Sequence, residues 1–148
     1  MHPKDWLKNK QTELQTNGLA SLMQQSNMVE QKMFDSMSEN EIYDYMISKL
    51  NFCQRKQNIS CRDAGIDIRV GDICFIDYGM AYQWEIGYQH MGLILSIKNG
   101  KTFVVPISGS PRAVEKAKYR SHLFELPKIA CLNKRSVLYL NDAKWINS

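Results

Sequence analysis

The chain has 148 residues, of which 44% are hydrophobic and 23% charged, with a formal net charge of +4. That length supports one domain, or one domain with an appendage, around a genuine core. No apolar run approaches the roughly 20 residues of a membrane helix, and the polar stretch from Met1 to Lys10 lacks the apolar centre of a secretory signal, so a cytoplasmic protein without a membrane partner is expected.

Composition changes near residue 65. One glycine, Gly18, precedes that point and seven follow it, whereas five of the eight methionines fall between Met23 and Met46. The first part, residues 1–65, reads as a helical extension and connector. Leu19, Leu22, Met23, Ser26, Val29 and Met33 recur at the three- and four-residue steps of one helix face. Ser38 and Glu41 have the S-x-x-E form of a capping box, which starts a further helix whose stripe is Ile42, Met46 and Leu50. A methionine-bearing stripe at this spacing reads as packing surface rather than a cofactor site. The polar segment from Asn51 to Gly65 reads as a connector.

The second part, residues 66–148, reads as strands. Ile73 to Ile76 is an apolar run between Gly71-Asp72 and Gly79, and Leu93 to Ile97 is the next. Lys98-Asn99-Gly100-Lys101 then carries the Asn-Gly signal of a tight hairpin, because both residues tolerate positive φ. Thr102 to Val105 returns and is expected to stop at Pro106. His122 to Leu126, Ser136 to Leu140 and Ala143 to Ile146 complete the set. So many short strands are expected to curl into a small antiparallel barrel that hides its edges, giving an α+β protein overall. Cys74 within its apolar run reads as a small buried hydrophobe. Cys53, Cys61, Cys74 and Cys131 form no C-x-x-C pair and have only His2, His90 and His122 to assist them, so neither a metal nor another cofactor is expected.

Charge divides the same way. Residues 1–65 hold eight basic and eight acidic side chains, and residues 66–148 hold eleven and seven, so the second part carries the whole excess. An anionic partner is therefore sought there.

The order of short motifs in this part resembles the MazF/PemK family. Gly71-Asp72-Ile73 with Asp77 resembles the family's opening G-D-[VI] strand and its acidic end. Glu85-Ile86-Gly87-Tyr88-Gln89-His90-Met91-Gly92 sits where the family has E-x-G-G-x-R-P. Pro106-Ile107-Ser108 is similar to P-I-T, Lys116-Ala117-Lys118 with Ser121-His122-Leu123 to K-A-K…T-H-V, and Leu132-Asn133-Lys134 with Ser136-Val137-Leu138 to L-x-K-x-S-V. The resemblance spans about residues 69–148 and implies an SH3-like barrel, a homodimer, and metal-free cleavage of single-stranded RNA by attack of the ribose 2′-OH. It also implies a toxin of a type II pair, silenced by a cognate antitoxin protein.

The resemblance places the catalytic pair at His90 and Ser108, where the family has arginine and threonine. Histidine exchanges protons near neutral pH, whereas arginine stays charged and grips phosphate. The Ser108 hydroxyl retains a donor for a phosphate oxygen. Each also has a plainer reading, His90 as a surface or turn residue and Ser108 as part of a Ser-Gly-Ser-Pro loop. Glu85 either orients His90 or a partner loop, or is solvated. Arg112, Lys116 and Lys118, in the densest basic run, either contact RNA phosphates or form a solvated loop. Trp84, with Tyr82 and Tyr88, either stacks unpaired bases or packs on the helical part. The loss of the arginine leaves open a non-cleaving relative that binds nucleic acid or a gyrase-type protein. The family commonly continues beyond the last strand into a C-terminal helix, and the N-terminal helices are expected to occupy that surface, form the dimer contact or cover the RNA groove.

Overall fold

The computed structural model describes residues 3–58, 60–82 and 84–147. It divides into two compact units, 1–42 and 43–148, so the compositional change near residue 65 falls inside the second. Among the described residues, no helix is long and apolar enough to cross a membrane.

The first unit is dominated by α1 (Pro3–Phe34), interrupted where Gly18 adopts φ 65 and ψ 166. Leu19, Met23 and Val29 of the expected face are well exposed, and Leu22 is half-buried. The Ser38–Glu41 capping box is formed as expected. The Ser38 N–H donates to the Glu41 carboxylate at 2.8 Å, and the Glu41 N–H donates to Ser38 Oγ at 3.4 Å. These contacts hold the Glu41 carboxyl below its ordinary pKa.

Helix α2 (Glu39–Arg55) follows. Its expected stripe is not the face that packs: Leu50 is 51% exposed, whereas Tyr45 and Ser48 are buried at 7% and 3%. A polar latch accounts for the rotation. The Ser48 hydroxyl and the Asn51 amide both donate to the Asp77 carboxylate at 2.6 Å. The segment expected as a connector holds the end of α2 and a single 3-10 turn at Cys61–Ala64, capped reciprocally by Ser60 and Asp63.

Six strands form one antiparallel sheet: β1 (Ile73–Asp77), β2 (Gln89–Lys98), β3 (Lys101–Ser108), β4 (Leu123–Glu125), β5 (Val137–Tyr139) and β6 (Lys144–Asn147). The order is β1-β2-β3-β5-β4, with β6 also on β3. The protein is thus α+β with an antiparallel sheet, as expected, but no pairing among the described residues closes the sheet into a hydrogen-bonded ring. It does curl. β6 and β1 are separated by β3 and β2, yet Lys144 Nζ stands 5.5 Å from the centre of the Tyr78 ring.

The β2–β3 hairpin turns at Asn99 and Gly100, with φ of 51 and 70, as the Asn-Gly pair requires. The β3 strand does not stop at Pro106 but runs on to Ser108. Its outer edge pairs with β6 over 101–104 and with β5 over 107–108, so Pro106 falls between the two ladders on that edge. β3 is also the centre of the core. Thr102, Val104, Val105, Pro106 and Ile107 are all buried, so both of its faces are covered. One face carries Val105 and Ile107 packed with Leu138. On the other lies Val137, against Ala113 and Val114 of the short helix α3 (Pro111–Lys116).

Candidate nucleic-acid interface

Strand polarity gathers the expected site residues at one end of the sheet. β1 ends there, β2 begins there, and β3 ends there before entering α3. His90 is not a turn residue: it lies within β2, paired with Ile76. Met91 and Ile107 are the last register pair of β2 and β3, so His90 and Ser108 stand opposite each other one step beyond it. Side chains alternate along strands, which puts His90, Gly92, Pro106 and Ser108 on one face. Both His90 and Ser108 are half-buried. Ser108 Oγ accepts a hydrogen bond from the Ser110 N–H at 3.3 Å. His90 Nδ1 is buried and has no hydrogen-bond partner.

The loop between β1 and β2 rises at the same end. Its base is pinned by Tyr78 N–H donating to the Tyr88 carbonyl (2.8 Å) and by Tyr88 N–H donating to the Gly79 carbonyl (2.7 Å). A further anchor is the Ile86 N–H, which donates to the Asp142 carboxylate at 2.9 Å. Glu85 does not reach His90 by any hydrogen bond in the structure. Its carboxylate accepts from the Tyr82 N–H at 3.2 Å and so stabilises its own turn. Trp84 and Tyr82 are 90% and 86% exposed, and Trp84 is held at φ 75. A bulky aromatic in that region of φ is costly and recurs at functional loops. The Trp84 side chain thus faces solvent.

The basic run is partly helical rather than a loop. Ser110-Pro111 supplies the signal, with proline in the first turn of α3. Arg112, Lys116 and Lys118 are exposed, and no ion pair involves them among the described residues. A groove of about 390 Å³ runs beside α3, lined by Gly109, Val114, Glu115, Lys118, Lys134 and Arg135. Lys134 joins the expected cations at this groove. A side chain at Gly109 would overlap the Lys134 stem, so this lysine lies directly against the residue after Ser108. The sequence signal for it was its place in the L-x-K motif. Arg135 donates to the Glu125 carboxylate through Nε at 2.8 Å, which ties it to β4.

Three further residues have roles here that the motifs do not assign. Asp77 on β1 and Gln89 on β2 pair in register and join α2: Gln89 Nε2 donates to Ser48 Oγ at 2.7 Å. Tyr78 places its hydroxyl over Gly92, where a Cβ would overlap it, and this hydroxyl is also buried without a partner. Burial, and then the neighbouring Cys74, push the Tyr78 pKa well up, so it remains a neutral phenol. Among the described residues no three or more His, Cys, Asp or Glu side chains gather as metal ligands. Chemically, this end offers the His90 imidazole, the Ser108 hydroxyl, exposed aromatics and exposed cations. Comparison with protein-family models, curated proteins and solved structures finds no match.

Proposed function

We propose that the chain is a metal-independent endoribonuclease of MazF/PemK type, cutting single-stranded RNA through attack of the ribose 2′-OH on the adjacent phosphodiester. The observation that carries this reading is the register that sets His90 opposite Ser108, at the end of the sheet that also carries the exposed loop aromatics and the basic α3. In this reading Trp84 and Tyr82 stack unpaired bases, a sequence-tolerant contact worth about 1–3 kcal/mol per base. Arg112, Lys116, Lys118 and Lys134 hold phosphates and make binding salt-sensitive. His90 serves the reacting oxygens and Ser108 donates to a phosphoryl oxygen. The curl that brings Lys144 to Tyr78 supports the finer fold reading, a small SH3-like barrel. The toxin role, a cognate antitoxin and a homodimer follow from the motif resemblance alone.

A second reading is a barrel that binds nucleic acid or a gyrase-type protein without cleaving. It is favoured by the burial of His90 Nδ1 and by the engagement of Ser108 Oγ with the Ser110 N–H. One experiment separates the two. A long single-stranded RNA is incubated with the protein in EDTA, beside His90→Ala and Ser108→Ala. Site-limited cuts that fall by about 10²–10⁴-fold in His90→Ala, and by about 10² in Ser108→Ala, are expected. Intact RNA with retained binding selects the second reading, and cuts that persist in both variants remove the two residues from the site.

A further inference from the structure

The described residues contain three buried side-chain polar atoms without a partner: Tyr78 Oη, His90 Nδ1 and Thr102 Oγ1. A buried polar atom left unpaired costs about 1–3 kcal/mol, so each calls for an explanation. Two of the three share one place. Tyr78 follows β1, and its hydroxyl lies over Gly92, as does the tip of Ile76, whose Cδ1 would be 2.9 Å from a Cβ there. His90 pairs with that same Ile76 and lies two residues before Gly92 on β2, hence on the same face. Same-face positions two residues apart on a strand are about 7 Å apart, and an imidazole extending from His90 covers part of that span. The phenol and the imidazole therefore flank one small patch of sheet, with Gly92 left bare beneath the hydroxyl.

From this placement we propose that Tyr78 is a positioning residue for His90: its O–H acts on His90 Nδ1 through one ordered water, which accepts from the phenol and donates to Nδ1, and so fixes the neutral imidazole as the Nε2–H tautomer. Counting donors and acceptors selects the direction. A water that accepts from the phenol and donates to Nδ1 pairs both orphaned atoms and leaves one water proton over. An Nδ1–H donating to that water would leave either the phenolic proton or both water protons unplaced. Lys144, which stands over the Tyr78 ring, is a donor and cannot accept that proton. Gly92 fits the same account, because any side chain there would displace the hydroxyl from the patch. The tautomer stands on this geometry alone, while its meaning for cleavage rests on the function proposed above. There, neutral His90 would present an Nε2–H to the substrate and offer a phosphoryl oxygen a hydrogen bond, a donor where the family has arginine.

The test is nitrogen NMR of the histidine side chains in the ¹⁵N-labelled full chain, at a pH where the imidazoles are neutral, with His90 assigned by its absence in His90→Gln. The expected wild-type result is an unprotonated Nδ1 and a protonated Nε2. Tyr78→Phe should move both signals toward the averaged position of a tautomer mixture, while its backbone amide spectrum remains dispersed. A wild-type His90 that is already a mixture, or that carries its proton on Nδ1, overturns the proposal without needing any variant. So does a tautomer unchanged in a folded Tyr78→Phe. None of these outcomes depends on RNA cleavage, so failure of the tautomer and failure of the nuclease reading are separately visible.

Discussion

The two faces of the β1–β2 pair hold polar side chains in opposite conditions. On one face the Asp77 carboxylate accepts from Ser48, Asn51 and the Gly79 N–H, and Gln89 donates to Ser48 Oγ. On the other, His90 Nδ1 and Tyr78 Oη are buried with nothing to bond. The strands are shared, but the neighbours of the two faces and the satisfaction of their polar groups differ. A completed buried network rigidifies a structure and specifies how its parts meet. An incomplete one survives where something other than stability maintains it, which is the expected condition of a site. The Asp77 face is therefore architecture, and the His90 face is where chemistry is to be sought.

Substitutions can break this contrast. The largest effect on stability is expected from Asp77→Ala, which strands the Ser48, Asn51 and Gly79 donors at once. Hydrogen bonds to charged groups contribute about 1.5–3 kcal/mol, so a loss of about 2–3 kcal/mol in urea unfolding is expected. A loss below about 0.5 kcal/mol, the level of an ordinary surface change, would mean the latch does not hold α2 on the sheet. Gly92→Ala should cost less, about 1–2 kcal/mol, because its Cβ forces the Tyr78 hydroxyl and the Ile76 tip aside. Combining it with Tyr78→Phe should recover part of that loss, and a strictly additive double variant would exclude the hydroxyl as the obstacle. His90→Leu combined with Tyr78→Phe should stay within about 0.5 kcal/mol of wild type or gain stability, since the pair removes both buried polar atoms at once. On the proposed function, the same double variant abolishes RNA cleavage. A large destabilisation by it would assign this face to architecture as well.

Much of the scaffold was legible because its signals are local. Asn99-Gly100 specifies its turn through backbone freedom, and Ser38 with Glu41 announces a helix start through two reciprocal bonds. What escaped the reading depends on partners distant in sequence. Nothing in the spacing of Ile42, Met46 and Leu50 reveals that α2 turns Tyr45 and Ser48 inward, because the cause is Asp77, 29 residues beyond Ser48. Pro106 looked like a stop because the break between the β5 and β6 ladders on that edge of β3 is a tertiary fact. The motif order named His90 and Ser108 but not their juxtaposition, which comes from the β2–β3 register. It passed over Tyr78 altogether, since its significance lies in a hydroxyl crossing to a neighbouring strand.

The smallest expected effect is also the most selective for the satisfied face. Burial acts to raise the Asp77 pKa, but donation from Ser48, Asn51, the Gly79 N–H and Gln89 outweighs it, and the net shift is downward. A carboxyl with a folded pKa below its unfolded value adds stability that is fully present above the unfolded pKa, near 3.9. That stability is lost as pH falls through the folded value, because the unfolded chain takes up the proton first. Asp77→Asn removes the titrating group while keeping its shape, so the stability gap between wild type and this variant should narrow on acidification below about pH 4. The Glu41 carboxyl is also lowered by its capping contacts, but it is present in both proteins and cancels in the difference. Because Asp77 is only half-buried, solvent screening keeps the change small, and paired urea titrations at several acidic pH values are needed to read it. A gap that held constant through this range would show that the latch works through hydrogen-bond geometry alone, indifferent to the charge on Asp77.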